Sequence, residues 1–274
     1  MRRMLSRTLL GMSLGMPLLG ALSVPAVMHA QAPQGRGGPP APPKTAKEAA
    51  PVDFTGYWVS VVTEDWRWRM VTPALGDFAS VPLNPEGRRV GLTWDPARDQ
   101  AAGEACKAYS APAIMRVPGR LHITWQDDTT LKIETDSGTQ TRLFHFGKPN
   151  ALNARAKPTW QGYSAAQWEQ PVRGTGTPLP GLGATRQGTQ GRSLEVVTTQ
   201  LRPGYLRKNG VPYSANAELN EYYDLSKERN GDIWFVVTTI VNDPQYLAEP
   251  FVTSTNFKKE PDGSKFSPTP CSAR

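Results

Sequence analysis

Arg120-Leu-His-Ile-Thr-Trp-Gln126, Leu131-Lys-Ile-Glu-Thr135 and Thr139-Gln-Thr-Arg-Leu-Phe-His-Phe146 decide the fold. The first two runs alternate apolar and polar side chains, as a strand with one buried face must. Asp127-Asp128-Thr129 and Ser137-Gly138 supply turn residues between the runs. Three strands joined by such short turns predict an antiparallel meander.

Outward from the meander the same signal recurs. Asp53-Phe-Thr-Gly-Tyr-Trp-Val-Ser-Val-Val62 opens the folded part, and strand-like runs follow at 160–169, 192–201, 218–225, 232–241 and 251–258. Together these make about nine strands, enough to close a barrel. The runs at 194–201 and 233–241 are apolar on both faces, which suits a sheet covered on both sides or closed around a lined interior. The expected fold is therefore all-β: an antiparallel meander closing into a barrel of about eight to nine strands, one domain over residues 53–274.

Between Thr63 and Pro118 no clear strand signal appears. Trp66-Arg-Trp-Arg-Met70 alternates and reads as a strand edge. Asn84 followed by Pro85 reads as a helix cap and first helical residue, with Val90, Leu92 and Trp94 as a short apolar face. This partly helical segment is expected to pack on the barrel and to cover the outer face of the doubly apolar strands. Gln170 to Gly191, rich in Gly, Thr and Pro, reads as a mobile loop.

The first thirty residues stand apart. Arg2, Arg3 and Arg7 precede an apolar, small-residue run from Leu9 to Val27, and Met28-His29-Ala30 offers a cleavage point before Gln31. This is the pattern of a secretory signal peptide. Gly11, Gly15, Pro17, Gly20 and Pro25 interrupt the run and argue against an uncleaved anchor, so no stable membrane insertion is expected after cleavage. Residues 31–52, rich in Pro and Gly, read as a disordered linker. Loss of three arginines and no acid would take the formal charge from +7 to +4. Without a basic tract that surplus is not a nucleic-acid footprint. In the oxidising compartment an export signal implies, periplasmic or secreted, the two cysteines Cys106 and Cys271 are expected to pair.

The chain resembles a group of exported, functionally uncharacterised bacterial proteins found in acidobacteria and proteobacteria. The resemblance rests on Phe54-Thr-Gly-Tyr-Trp58, Ile114-Met-Arg-x-Pro118, Arg142, Pro158-Thr-Trp-x-Gly-Tyr-Ser164 with Trp168-Glu169, Gly210-x-Pro-Tyr-Ser214, Glu221 and Asp243-Pro244. Relatives often carry Gly-His-Ser where this chain has Gly162-Tyr163-Ser164, so a role built on that histidine does not transfer. The resemblance implies a lipocalin-like barrel rather than an activity.

Candidate chemistry is sparse. Gly162-Tyr-Ser-Ala-Ala166 looks like a relaxed nucleophile elbow, but no histidine follows Ser164 in the chain, as the hydrolase order requires. No His-x-His, HExxH or CxxC spacing suggests a metal, and no Rossmann or P-loop glycine pattern suggests a nucleotide, so no cofactor is expected. Glu221, His122, His145 and Tyr163 are the candidate acid, base and proton-donating groups. Arg116, Arg142, Trp125, Trp160, Ser164, Glu169, Tyr205, Tyr213 and Tyr222 are candidate ligand-binding residues, because arginine and aromatic rings suit an aromatic or polyhydroxylated molecule with an anionic group.

Three functions compete. The first is an exported barrel that binds a small molecule in its lumen. The second is a cofactor-independent lyase, isomerase or hydrolase using the same cavity. The third is an envelope protein that binds another protein through its surface.

Overall fold

The computed structural model describes residues 44–148, 157–169 and 193–274. The expected signal peptide, the first part of the linker and the Gln170–Gly191 loop lie outside the described residues. The strands are β1 Gly56–Val61, β2 Arg120–Asp127, β3 Thr130–Thr135, β4 Thr141–Phe146, β5 Tyr163–Trp168, β6 Leu194–Thr199, β7 Gly204–Arg207, β8 Val211–Tyr213, β9 Glu218–Lys227, β10 Ile233–Asn242 and β11 Phe251–Glu260. Nine close into a barrel in the order β1-β11-β10-β9-β6-β5-β4-β3-β2, while β7 and β8 form a separate ribbon. Each expected barrel strand is present.

The meander keeps the expected antiparallel register, with Ile123 opposite Ile133 and Ile133 opposite Arg142. The next pair is a correction: β4 and β5 run parallel, Phe144 lying opposite Ser164. A parallel pair needs a connection that returns to the starting end of the sheet. Alternation is the same in either chain direction, so it does not reveal this crossing. Eight-stranded up-and-down lipocalin barrels are antiparallel throughout, and the present order differs from them in that pair.

Inside the barrel, Leu121, Ile123, Ile133, Phe144, Val196, Tyr223, Phe235, Val237 and Phe257 form one buried cluster. Trp58 sits fully buried among them, its indole Nε1 donating to the Phe54 carbonyl at 2.8 Å and its ring edge-on to Phe235 at 4.6 Å. At this cluster's end the strap before β1 closes the barrel. Residues 44–52 carry a capping box, with Glu48 N donating to Thr45 Oγ1 at 3.2 Å and Thr45 N to Glu48 Oε2 at 3.0 Å. Trp168 Nε1 donates to the Ala46 carbonyl and Lys47 N to the Asp128 carbonyl, while Val52 packs on the core. The disordered reading of the linker therefore does not extend through 44–52. A tryptophan partner supplied by β5, more than a hundred residues away, orders it.

The opposite end is closed by the segment before β2. It contains α1 Trp66–Arg69, α2 Pro85–Gly91, α3 Pro96–Ala101, a 3-10 helix Ala105–Tyr109 and α4 Ala111–Ile114. Trp66–Met70 is thus a helical turn and not a strand edge, with Met70 N donating to the Trp66 carbonyl. Asn84 caps α2 as expected, its Oδ1 accepting from Gly87 N at 2.8 Å. The buried face of α2 is Gly87 and Gly91, not Val90 and Leu92. A side chain at Gly87 would come within 2.4 Å of the Tyr246 carbonyl, so the helix packs by backbone. Phe78, Val81, Leu83 and Ala111 bury against Leu201, Leu219, Val241 and Phe251, all at strand ends or in the adjoining loop. The segment caps an end, and it leaves the outward side chains of β6 and β10 half-buried instead of covering them. Cys106 and Cys271 are bonded, with Cα atoms 5.1 Å apart, tying the cap's 3-10 helix to the C-terminal tail.

Between the two apolar clusters lies a buried polar layer. Arg142 and Glu221, both fully buried, join in a two-pronged bond at 2.9 and 2.6 Å. Tyr223 and Thr198 add contacts to Arg142, and Ser164 meets Thr198 at 2.7 Å. Burial disfavours the Arg142 cation, but Glu221 beside it outweighs this and holds its pKa above the ordinary arginine value.

Removing one partner would strand the other charge in the barrel. Glu221→Gln is expected to cost about 3–5 kcal/mol in urea unfolding, whereas the double replacement Arg142→Met with Glu221→Leu recovers most of it. Equal losses for the single and double variants would contradict the structural role.

Candidate functional site

Three arginines from separate elements meet where the cap joins the barrel. Arg69 ends α1, Arg116 follows α4 and Arg207 ends β7; together with Trp68, Val71 and Lys208 they line one cleft. The cavity measures about 40 Å³, which exceeds the roughly 10–15 Å³ that one water needs. It therefore suits one compact group and not a whole drug-sized molecule.

Each guanidinium is held, and each leaves donors over. Arg69 donates through Nε to the Arg116 carbonyl at 2.9 Å and pairs with Glu64. Arg116 Nη2 pairs with Asp65 at 2.7 Å. Arg207 Nη1 donates to the Ala79 carbonyl at 2.6 Å, and its guanidinium lies over the Trp68 ring, 5.1 Å from the centroid. No carboxylate pairs with Arg207 among the described residues. Arg69 Nη2, Arg116 Nη1, and Arg207 Nε and Nη2 are buried without a hydrogen-bond partner. All three residues are more than nine-tenths buried.

The electrostatics agree. Burial, with the Arg116 charge adding to it, lowers the Arg207 pKa to about 10. Burial also lowers that of Arg69, against the opposing pull of Glu64. Asp65, at the start of α1, adopts the left-handed φ of 50° and caps nothing with its side chain. Its carboxylate is committed to Arg116 instead. Backbone strain retained to hold a charge in place is a feature of binding and active sites.

No protein-family model, curated protein or solved structure matches this chain.

The residues named from the sequence fall into separate places. Arg142, Ser164 and Glu221 come together in the buried polar layer, where Glu221 is fully enclosed and doubly bonded to Arg142. His122 and His145 lie on the outer face of the barrel. His122 stacks on Tyr57 at 4.2 Å with Nδ1 3.3 Å from Glu134, and His145 stacks on Tyr163 at 5.1 Å. Burial lowers the His145 pKa. The four acid–base candidates do not converge. Trp125 packs inward against Phe146, Tyr213 is buried in the cap cluster, and Tyr205 donates to Asp99 at 2.7 Å. Trp160 lies under Arg202, Tyr222 reaches Glu195 on the outer face, and Glu169 is exposed beyond β5. Of the named set only Arg116 lines the cleft. Among the described residues no group of three His, Cys, Asp or Glu side chains is placed to hold a metal.

Sequence reasoning missed Arg69, Arg207 and Trp68. The alternation of tryptophan and arginine at 66–69 was the available signal. Read as a helical turn it does not by itself say which side chain turns inward; in the structure Arg69 is buried while Trp66, three residues back, is exposed. Arg207 carries no such mark, since it is one of several cations in the 202–208 loop.

A buried cation without a paired carboxylate destabilises the fold that holds it. Arg207→Met is expected to raise stability near neutral pH by about 1–3 kcal/mol. The folded-state pKa of about 10 lies below the ordinary arginine value, so above it the unfolded chain binds more protons and the wild type gains on the variant as pH rises. Urea unfolding of both proteins from neutral pH to about 11 checks the sign. A gap that widens with pH would contradict it.

Proposed function

We propose that the protein is an exported binding module that captures a compact oxyanion, carboxylate, phosphate or sulfate, in the cleft of Arg69, Arg116 and Arg207. The observation that carries this is that three arginines line one cleft and between them keep four buried guanidinium nitrogens without a hydrogen-bond partner. Buried donors without acceptors cost free energy, and an oxyanion would satisfy several at once, with arginine offering planar, two-pronged geometry.

The proposal keeps the small-molecule ligand expected from the sequence and moves it from the lumen to the cap end. The barrel serves as a rigid frame whose interior side chains pack on one another. Acid–base chemistry draws no support from the cleft, because Glu64 and Asp65 are each bonded to an arginine. Export accords with the Cys106–Cys271 bond, which persists in oxidising compartments.

Titration calorimetry and thermal unfolding with phosphate, sulfate and acetate test the reading. Saturable binding is expected, with stabilisation of about 2.7 kcal/mol at a hundredfold excess over Kd. Arg207→Met should abolish it and Arg207→Lys weaken it about tenfold or more. Affinity should also fall as pH rises through about 10, where Arg207 loses its proton. Stabilisation no greater than that from chloride at matched ionic strength would overturn the proposal.

A further inference from the structure

We infer that the occupant of the arginine cleft is the head of an anionic amphiphile, whose apolar tail lies along Val71, Met70 and Trp66; this rests on the oxyanion-binding reading above. Six large apolar side chains are strongly exposed among the described residues, and five of them, Trp66, Met70, Val71, Leu75 and Leu92, fall in the cap between 66 and 92. The exposure is therefore concentrated in the cap segment that carries Arg69, with Val71 at the cleft itself, and concentrated apolar exposure marks a binding surface.

The geometry connects patch and cleft. Val71 lines the cavity yet is 68% exposed, so the wall of the cleft opens onto solvent through an apolar side chain. Met70 precedes it, and Trp66 sits one helical turn back, its carbonyl accepting from Met70 N. Residues four apart on a helix share a face at roughly 5–6 Å. Trp66 and Met70 thus share one exposed face of the turn that leads into Val71. Leu92 lies beside the loop holding Leu75, since a side chain at Gly76 would lie 3.4 Å from Leu92.

The small cavity supplies the other half of the argument. A volume of about 40 Å³ takes an oxyanion head and leaves any larger body outside, against the exposed side chains. Trp68, which lines the cleft, lies against Arg207 at 5.1 Å and against the exposed Arg67 at 5.4 Å, the latter paired with Asp77. A polar ligand such as a sugar phosphate would leave Trp66, Met70 and Val71 in water. An alkyl or acyl chain would cover them.

The test is a series of inorganic, methyl, butyl, hexyl and octyl phosphate, each below its micelle concentration, titrated into the intact protein by calorimetry. Affinity is expected to rise about two- to fourfold for each buried methylene, and the octyl-to-inorganic affinity ratio should collapse in Trp66→Ser with Met70→Ser. Binding of inorganic phosphate with no gain along the series would overturn the amphiphile inference while leaving the oxyanion reading intact. Failure of every member, inorganic phosphate included, would remove both. A second arm uses vesicles of phosphatidylglycerol against phosphatidylcholine. Co-sedimentation with the anionic vesicles, lost in Arg207→Met, assigns the head to a bilayer lipid. Chain-length-dependent binding without co-sedimentation assigns it to a dissolved amphiphile, and both sustain the inference.

Discussion

The bond between Arg142 on β4 and Glu221 on β9 governs how the rest of the molecule can be used. Its two hydrogen bonds span the interior where the barrel meets its cap, and neither residue touches solvent. Above it lies the cap cluster; below it lie Phe144, Tyr223, Phe235 and Phe257, packed ring on ring at 4.8 to 6.1 Å. With the section filled by paired charge and the remainder by aromatic side chains, the barrel is a scaffold. In the proposed reading, ligand recognition falls to its cap end.

The two kinds of buried arginine show the difference between structure and site. Arg142 has a carboxylate, and its pKa is held up. Arg207 has none among the described residues; it rests on Trp68 and one carbonyl, and its pKa is driven down. A protein gains nothing in stability from an arrangement of the second kind. Its persistence in a well-packed fold is the physical reason to look for an anion there, since strained or unsatisfied groups concentrate where function requires them.

Much of the fold was legible because alternation with a period of two survives in single strands such as β2 and β3, while β6 and β10 stand out as β-branched runs apolar on both faces. The parallel β4–β5 pair was not, since direction leaves no trace in the pattern. The cap was read only in part. Helices of four to seven residues are too short for apolar periodicity to register, and α2 packs by glycine, so Val90 and Leu92 misled. At the site, Arg116 was named for its residue type, but Arg69 and Arg207 were not. Arg142 and Glu221 were each singled out, yet their meeting across 79 residues of sequence belongs to the barrel order and is invisible locally. His122 and His145 attracted attention as the only histidines after residue 30, and both turned out to face outward against tyrosine rings.

The most direct measurement is the side-chain Nε–H resonance of each arginine in the isotopically labelled protein, followed as phosphate is added. The cleft account predicts that the Arg207 signal shifts and saturates with phosphate, with smaller changes at Arg69 and Arg116, while Arg142 stays fixed as an internal control. A shift at Arg142 with Arg207 unmoved would place the anion inside the barrel and contradict the account.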